Sequence, residues 1–297
     1  QETAIYRNAY TEFASAKANF NEGNYSLAQK RFDAFMRSFQ YSAVNEVALM
    51  RSEAQFYHAL SARKLDNANA ELLLIKFVDE NSSSPFTSLA YFELGQLYFD
   101  QELYRDAIAC YNKVNNDVLT IEQQAEMNFQ LAYSLFTSKQ FKDAYRLFSQ
   151  IINNKNQYYF DANYYYGVIA YFEKDYPSAL TAFQRIEQNP KYDKALPYYI
   201  ALIYYHQKQY DNLITYATPK AKTNGVKYQN ELNQLLGQTL FNQQKFAEAL
   251  PYLEFYTEKS GKVRKEDLFQ LGFAQYQLKR YDDAIKNFTQ LNNLTDS

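Results

Sequence analysis

The residue types best suited to chemistry are scarce in this chain and do not converge. Its two histidines, His58 and His206, stand far apart, and neither has a second histidine or a cysteine at metal-ligand spacing. Cys110 is the lone cysteine, so it forms no intrachain disulfide and reads as a small buried residue on a helix. No glycine-rich phosphate loop, G-x-S-x-G elbow or H-E-x-x-H pair occurs. Asp282 and Asp283 fall at the start of an expected helix, where carboxylates favour the helix dipole. The expectation is a chain without enzymatic activity, cofactor or metal. What is abundant is aromatic surface: 30 Tyr and 23 Phe, without a Trp, among 297 residues. Tyrosine packs through its ring while its hydroxyl stays hydrogen-bonded, which suits a wet binding surface.

The elements that must position these rings are set by a repeat. Hydrophobic residues make up 47% of the chain, with only seven Gly and six Pro, a balance that suits long helices joined by short loops. Ala28, Ala70, Ala107, Ala144, Ala179, Ala249 and Ala284, with Leu213 substituting once, succeed one another at intervals of 34 to 42 residues. Three positions earlier stands an aromatic: Tyr25, Tyr104, Phe141, Tyr176, Tyr210, Phe246 or Tyr281. Twelve positions earlier stands a small residue: Ala16, Gly95, Ala132, Gly167, Ala201, Gly237 or Gly272. Positions three, four and seven apart share a helix face. Leu94, Gly95 and Tyr98 therefore line one helix, and Ala107, Tyr111 and Val114 the facing side of a second. The small residues let the backbones approach while aromatics fill the wedge on either side. One helix pair per interval and no β-sheet are predicted.

At these residues the chain resembles the tetratricopeptide repeat family. The segment LGQLYFDQELYRDAIACY at 94–111 is similar to the consensus L-G-x-x-Y…Y-x-x-A-x-x-x-[FY], and segments 131–148, 166–183 and 271–288 repeat it. The resemblance implies an all-α fold, a right-handed solenoid of about eight repeats forming one array over 1–297. Its repeats fall at roughly 9–42, 43–86, 88–121, 125–158, 160–193, 194–228, 230–263 and 265–297. It also implies that a concave surface lined by the first helix of each pair binds a peptide or protein segment. The family's inner-face positions map here onto Phe92, Phe129, Tyr133, Tyr164, Tyr171, Tyr198, Tyr205, Phe269 and Phe273, with Tyr165 and Tyr199 bordering the stripe. Phe99, Phe136 and Tyr276 occupy the same set of positions; among the twelfth-position rings, Phe99, Phe136, Tyr171, Tyr205 and Phe241 are expected to favour packing. Tyr133, Tyr164 and Tyr198 are expected to be exposed. Lys17 and Lys194 are the only cations at positions where some relatives clamp a terminal carboxylate, so tyrosines and backbone hydrogen bonds are expected to dominate.

A narrower resemblance lies in Phe32, Phe35, Phe39 and Ser42, followed by Val47 and Ala48. It is similar to exported bacterial repeat proteins of the outer-membrane assembly and Tol-Pal-associated type, which carry Pro where this chain has Gln40. It implies a periplasmic or outer-membrane-associated protein of a Gram-negative cell envelope, with the cytoplasm as the alternative. A formal net charge of −2, without a long block of one sign, gives no electrostatic footprint for nucleic acid. The longest uncharged apolar stretch, Ala195 to Gln207, is too short to span a bilayer as a helix.

Two repeats depart from the pattern. In the second, Ala54 and Ala70 are separated by four extra residues, about one helical turn near Ser61 to Leu65. In the sixth, Leu213 and Ala217 replace the usual Ala and aromatic, and Pro219 predicts a helix that stops near Ala217, with an irregular connection from Pro219 to Gly225. The chain opens on Gln1 rather than Met, which reads as a processed or trimmed end. The eighth repeat, with Leu271, Gly272, Ala284, Phe288 and Leu291, lacks a polar cap, so this chain is expected to be the N-terminal part of a longer array, or else to self-associate through that end. The functional alternatives are a carbohydrate-binding or carbohydrate-processing accessory subunit, or the repeat part of a larger enzyme or envelope assembly.

Overall fold

The computed structural model describes residues 2–293, which hold sixteen α-helices and no strand. Gln1 and the last four residues of the eighth repeat, 294–297, lie outside the described residues. Two compact units divide the chain after Tyr158. The first contains α1 (Glu2–Asn21), α2 (Tyr25–Ser38), α3 (Asn45–Lys64), α4 (Ala70–Glu80), α5 (Thr87–Asp100), α6 (Tyr104–Tyr111), α7 (Ile121–Thr137) and α8 (Phe141–Ile151). The second contains α9 (Tyr159–Phe172), α10 (Tyr176–Ile186), α11 (Leu196–His206), α12 (Tyr210–Ala221), α13 (Gln229–Asn242), α14 (Phe246–Lys259), α15 (Lys265–Gln277) and α16 (Tyr281–Asn293).

Each odd-numbered helix packs on the even-numbered helix that follows it. In the first unit α1 also packs on α3, α3 on α5 and α5 on α7; in the second, α11 packs on α13 and α13 on α15. Helix pairs stacked on their neighbours in this way are the packing of an α-solenoid, in which each pair buries its apolar face only with the next one's help.

The small residues work where the repeat placed them. A Cβ added to Gly95 would fall inside the Tyr111 ring, and one added to Gly167 would come within 2.5 Å of Phe183. At Gly237 and Gly272 the opposing atoms belong to Leu253 and Phe288, each at 2.9 Å. Across the pair, Ala107, Ala144, Ala179, Leu213 and Ala249 are fully buried. Four of the seven glycines are therefore spent on helix contact rather than on turns. The turns inside the pairs are made without them: Asp66, Glu102, Lys139, Lys174, Lys208, Gln244 and Lys279 all take positive φ, and only Gly23 meets the usual preference. In the third pair the Glu102 N–H donates to the Phe99 carbonyl at 3.0 Å and the Leu103 N–H to that of Tyr98 at 2.8 Å. These two bonds form a Schellman cap, which satisfies carbonyls that the helix end leaves open.

The extra residues of the second repeat are absorbed as helix. α3 runs unbroken for 20 residues, against 14 for α5. Its turn residue Asp66 follows buried Ala59 as Glu102 follows Gly95, so Ala59 takes the contact position that the alanine spacing assigned to Ala54.

The sixth repeat corrects an expectation: α12 does not stop near Ala217 but passes Pro219 and ends at Ala221. Ala217 and Ala221 lie one turn apart and both are buried, so continuing the helix buries a further apolar residue. Pro219 and Thr215, whose carbonyl loses its partner, are on the exposed side, where water is at hand. The irregular connection follows Ala221 instead, and the Gln229 side chain donates to the carbonyls of Ala221 and Thr223. The same tolerance is shown by Pro251 inside α14.

Two outcomes are expected in chemical denaturation. Gly95→Ala and Gly167→Ala each lower stability by about 1–2 kcal/mol, because overpacking costs roughly 1–3 kcal/mol and the helix-propensity gain returns only about 1. Gly261→Ala, with open space around it, stays within about 0.5 kcal/mol of the parent. Pro219→Ala restores a backbone donor and is expected to stabilise by about 1–3 kcal/mol, read also as slower amide exchange in α12.

Candidate functional site

The aromatic positions of the first helices fall into three kinds of surroundings. In the first unit Phe92 is only 2% exposed, packed with Tyr111, Leu119 and Met127, and offers no ring surface to a partner. Phe129, 8% exposed, stacks on Tyr158 with ring centroids 4.7 Å apart and planes within 15°. Tyr133 closes a triangle with Phe99 and Tyr104, at 5.7 and 5.8 Å and near-perpendicular planes. Phe99 and Tyr104 belong to one pair and Tyr133 to the next, so the triangle is a joint between repeats. In the second unit Phe241, Phe246 and Phe273 build the same joint at 5.5 to 5.8 Å.

The third kind of surroundings is a cluster on α9 and α11. Tyr164 lies face to face with Tyr192 at 4.6 Å and edge-on to Tyr165 at 5.3 Å. The Tyr192 hydroxyl donates to Asp161, and the Lys191 ammonium donates to the same carboxylate at 2.7 Å. Tyr171 meets Tyr199 at 5.8 Å and Tyr176 at 6.0 Å. Tyr198 and Tyr199 both contact Tyr228, at 5.5 and 6.0 Å. The hydroxyls of Tyr199 and Tyr228 are hydrogen-bonded; burial, that bond and the neighbouring hydroxyls of Tyr164 and Tyr171 push the Tyr199 phenol up to about 12. Burial also pushes Tyr171 and Tyr198 upward. All of them remain protonated at neutral pH, able to donate a hydrogen bond.

Tyr164, Tyr165, Tyr171, Tyr198 and Tyr199 are thus brought together, all half-buried. Tyr205, 36% exposed, extends the group through His206, which stacks flat on Tyr176 at 5.0 Å. Phe269, 48% exposed, lies apart on α15, stacked on Phe273. The loop aromatics Tyr158, Tyr192 and Tyr228 lie outside the repeat spacing, and they pack on Phe129, Tyr164 and Tyr198 respectively. A signal exists: Phe86, Tyr158, Tyr192 and Tyr228 each stand near the end of a polar loop, and Phe86 stacks on Phe56 in the same manner at 5.1 Å.

The helix pairs and their turns agree with the comparisons. Residues 129–195 and 235–291 match the tetratricopeptide repeat family. The fold is that of tetratricopeptide repeats. A structure of Naa15/Naa10 bound to HypK-THB covers 95% of this chain and 42% of that one, with a TM-score of 0.56 at 11% identity. A structure of Pseudomonas aeruginosa pilF covers 69% of this chain and 90% of that one, with 17% identity and a TM-score of 0.45. A tetratricopeptide repeat protein from Parabacteroides merdae covers 91% and 99%, with 12% identity and a TM-score of 0.46. A search among curated proteins finds no match. Among the described residues no helix is long and apolar enough to cross a membrane.

The first unit also carries a polar group between its first helices. Glu93 on α5 is buried, with Oε1 3.8 Å from Lys64 of α3. Burial pushes its carboxyl up, against the opposing pull of Lys64 and Arg63, and nearby Glu126 of α7 pushes the same way as burial. Glu126 itself is pushed up by burial. Tyr111 donates to the Gln130 side chain beside them.

The folded chain holds the Glu93 proton more tightly than the unfolded chain does. Stability is then greatest below the ordinary carboxylate range and falls as pH rises from there through the raised folded value. Glu93→Gln is expected to flatten that fall and to raise stability at pH 7 by about 1 kcal/mol or more, seen as a higher melting temperature at pH 7 than at pH 4 relative to the parent. A difference between variant and parent that does not change with pH would contradict this.

Proposed function

We propose that this chain is a non-catalytic interaction scaffold that holds a segment of another protein against the tyrosine-lined face of α9 and α11. Tetratricopeptide repeats generally mediate protein–protein interaction, and first-helix faces are where such arrays present side chains to partners. The observation that carries the reading is the gathering of Tyr164, Tyr165, Tyr171, Tyr198 and Tyr199 with Tyr228, half-buried rings fixed by one another. Rings anchored in this way lose little further freedom on binding, and tyrosine supplies both apolar area and a hydrogen bond. A place in a bacterial cell envelope goes with this reading through the Phe32–Ser42 resemblance. Phe32, Phe35 and Phe39 themselves are core residues packed with Phe13.

Capture of partners from envelope extract tests the proposal. The parent chain is expected to retain a defined protein, and the double variant Tyr164→Ala, Tyr198→Ala to retain it at least about tenfold less well, the loss typical of a central aromatic contact. Undiminished capture by a folded double variant would rule out this face. A glycan retained in place of a protein would favour the carbohydrate-binding alternative.

A further inference from the structure

We infer that Asn224 and Gly225, on the loop between α12 and α13, form a self-modifying site at which the asparagine cyclises and then opens to isoaspartate or aspartate. The conversion resets the loop that carries Tyr228.

The chemistry needs an asparagine side chain beside a backbone nitrogen able to attack it. Asn-Gly is the pair that hinders the attack least, since glycine has no Cβ, and it occurs once in the chain. The Gly225 nitrogen gives its proton to solvent base and bonds to Asn224 Cγ. The Cγ–Nδ2 bond breaks, Nδ2 takes up a proton and ammonia leaves. A five-membered succinimide remains, and water opens it. Addition at Cγ gives aspartate; addition at the main-chain carbonyl carbon gives isoaspartate, whose main chain is one carbon longer. Water is the only reactant consumed.

The fold leaves both reacting groups available. Asn224 and Gly225 are exposed, and among the described residues neither the Asn224 side chain nor the Gly225 N–H is hydrogen-bonded. A cation stands beside them: Lys194 Nζ is 3.9 Å from the point where a Cβ on Gly225 would lie. It favours the negative charge that builds on the nitrogen and then on the side-chain oxygen. Lys222 and Lys227 add to it on the same loop, while Glu248 of α14, which lines one groove with Asn224, opposes it.

Asn81 shows the contrast. It precedes another small residue, Ser82, but its Nδ2 donates to Gln55 Oε1 at 3.0 Å and to the Phe77 carbonyl at 3.1 Å. An amide held in this way does not swing onto the next nitrogen.

The loop is pinned on both sides of the reacting pair. Before it, the Thr223 carbonyl accepts from the Gln229 side chain at 3.3 Å. After it, Val226 is buried in the core of the second unit, and the Lys227 N–H donates to the Lys194 carbonyl at 2.8 Å. Only Asn224 and Gly225 lie between these pins, so an added main-chain carbon displaces one of them. Tyr228 follows directly, its ring against Tyr198 and Tyr199. That the shift reaches a binding face rests on the reading above; the modification itself does not.

The test follows the full chain through a long incubation in mildly alkaline buffer, with tryptic peptide 223–227 read by mass spectrometry. Asn224 is expected to convert ahead of every other asparagine, releasing ammonia and forming isoaspartate as well as aspartate. Gly225→Ala is expected to slow conversion at least about tenfold, because its Cβ hinders the attack. Lys194→Gln, which keeps the carbonyl that Lys227 bonds, is expected to slow it measurably. In the isoaspartate form, separated by anion exchange, the Lys227 amide is expected to exchange faster than in the parent. In Asn224→Asp, which adds the charge without the carbon, it is expected to exchange like the parent. The inference is overturned if Asn224 stays intact while a free peptide of residues 223–227 converts alongside, or if Asn81 converts first. It is equally overturned if Lys194→Gln converts at the parent's rate, or if isoaspartate leaves Lys227 exchange unchanged. None of these measurements needs a partner, so failure of this site is distinguishable from failure of the binding face.

Discussion

Four of the pairs in this structure share one close approach, in which a glycine on the first helix meets a bulky side chain from the second. Gly95 under Tyr111 and Gly167 under Phe183 are the tightest cases, with no room for even a methyl group. Dispersion energy falls steeply with distance, so the contact that brings two backbones together also creates the densest packing in the pair. Because most of these helices are too short to be stable alone, that packing is what makes them persist.

The demand for small residues at this contact governs where flexibility is available elsewhere. Glycine would relax the left-handed turn after each first helix, yet seven of those turns are made by Asp, Glu, Lys or Gln. The Schellman hydrogen bonds and the packing on either side hold them in place. Stacking between pairs is carried by a different device, three rings meeting edge to face, as with Phe99, Tyr104 and Tyr133 or Phe241, Phe246 and Phe273.

The same aromatic economy shapes the candidate site. On α9 and α11 the rings that meet between repeats, Tyr171 and Tyr199, are both tyrosines, so they carry hydroxyl groups as well as packing surface. On the proposed reading, rigidity and recognition share the same residues. The buried carboxyl of Glu93 in the first unit is the opposite arrangement, a polar group enclosed among first helices with a poorly placed cation. Burial disfavours its charged form, whereas a protonated phenol can be half-buried at little electrostatic cost.

The sequence alone determined the helix pairs, the small-residue contacts and the aromatic turn positions, because all of these recur within a few helical turns of one another. Gly95 and Tyr111 are near in the chain, and their phase shows they must meet. It also placed Tyr164, Tyr171 and Tyr198 on the first-helix stripe. Only the tertiary structure decided which of those rings keep a surface: Phe92 does not, since Tyr111, Leu119 and Met127 enclose it, and Tyr164 and Tyr198 give part of theirs to Tyr192 and Tyr228. The extension of α12 past Pro219 was decided the same way, by the burial of Ala221. Helical phase is a property of the local backbone and repeats faithfully. The path of a connecting loop, and which ring it lays over which, depends on side-chain contacts between segments that no fixed period relates.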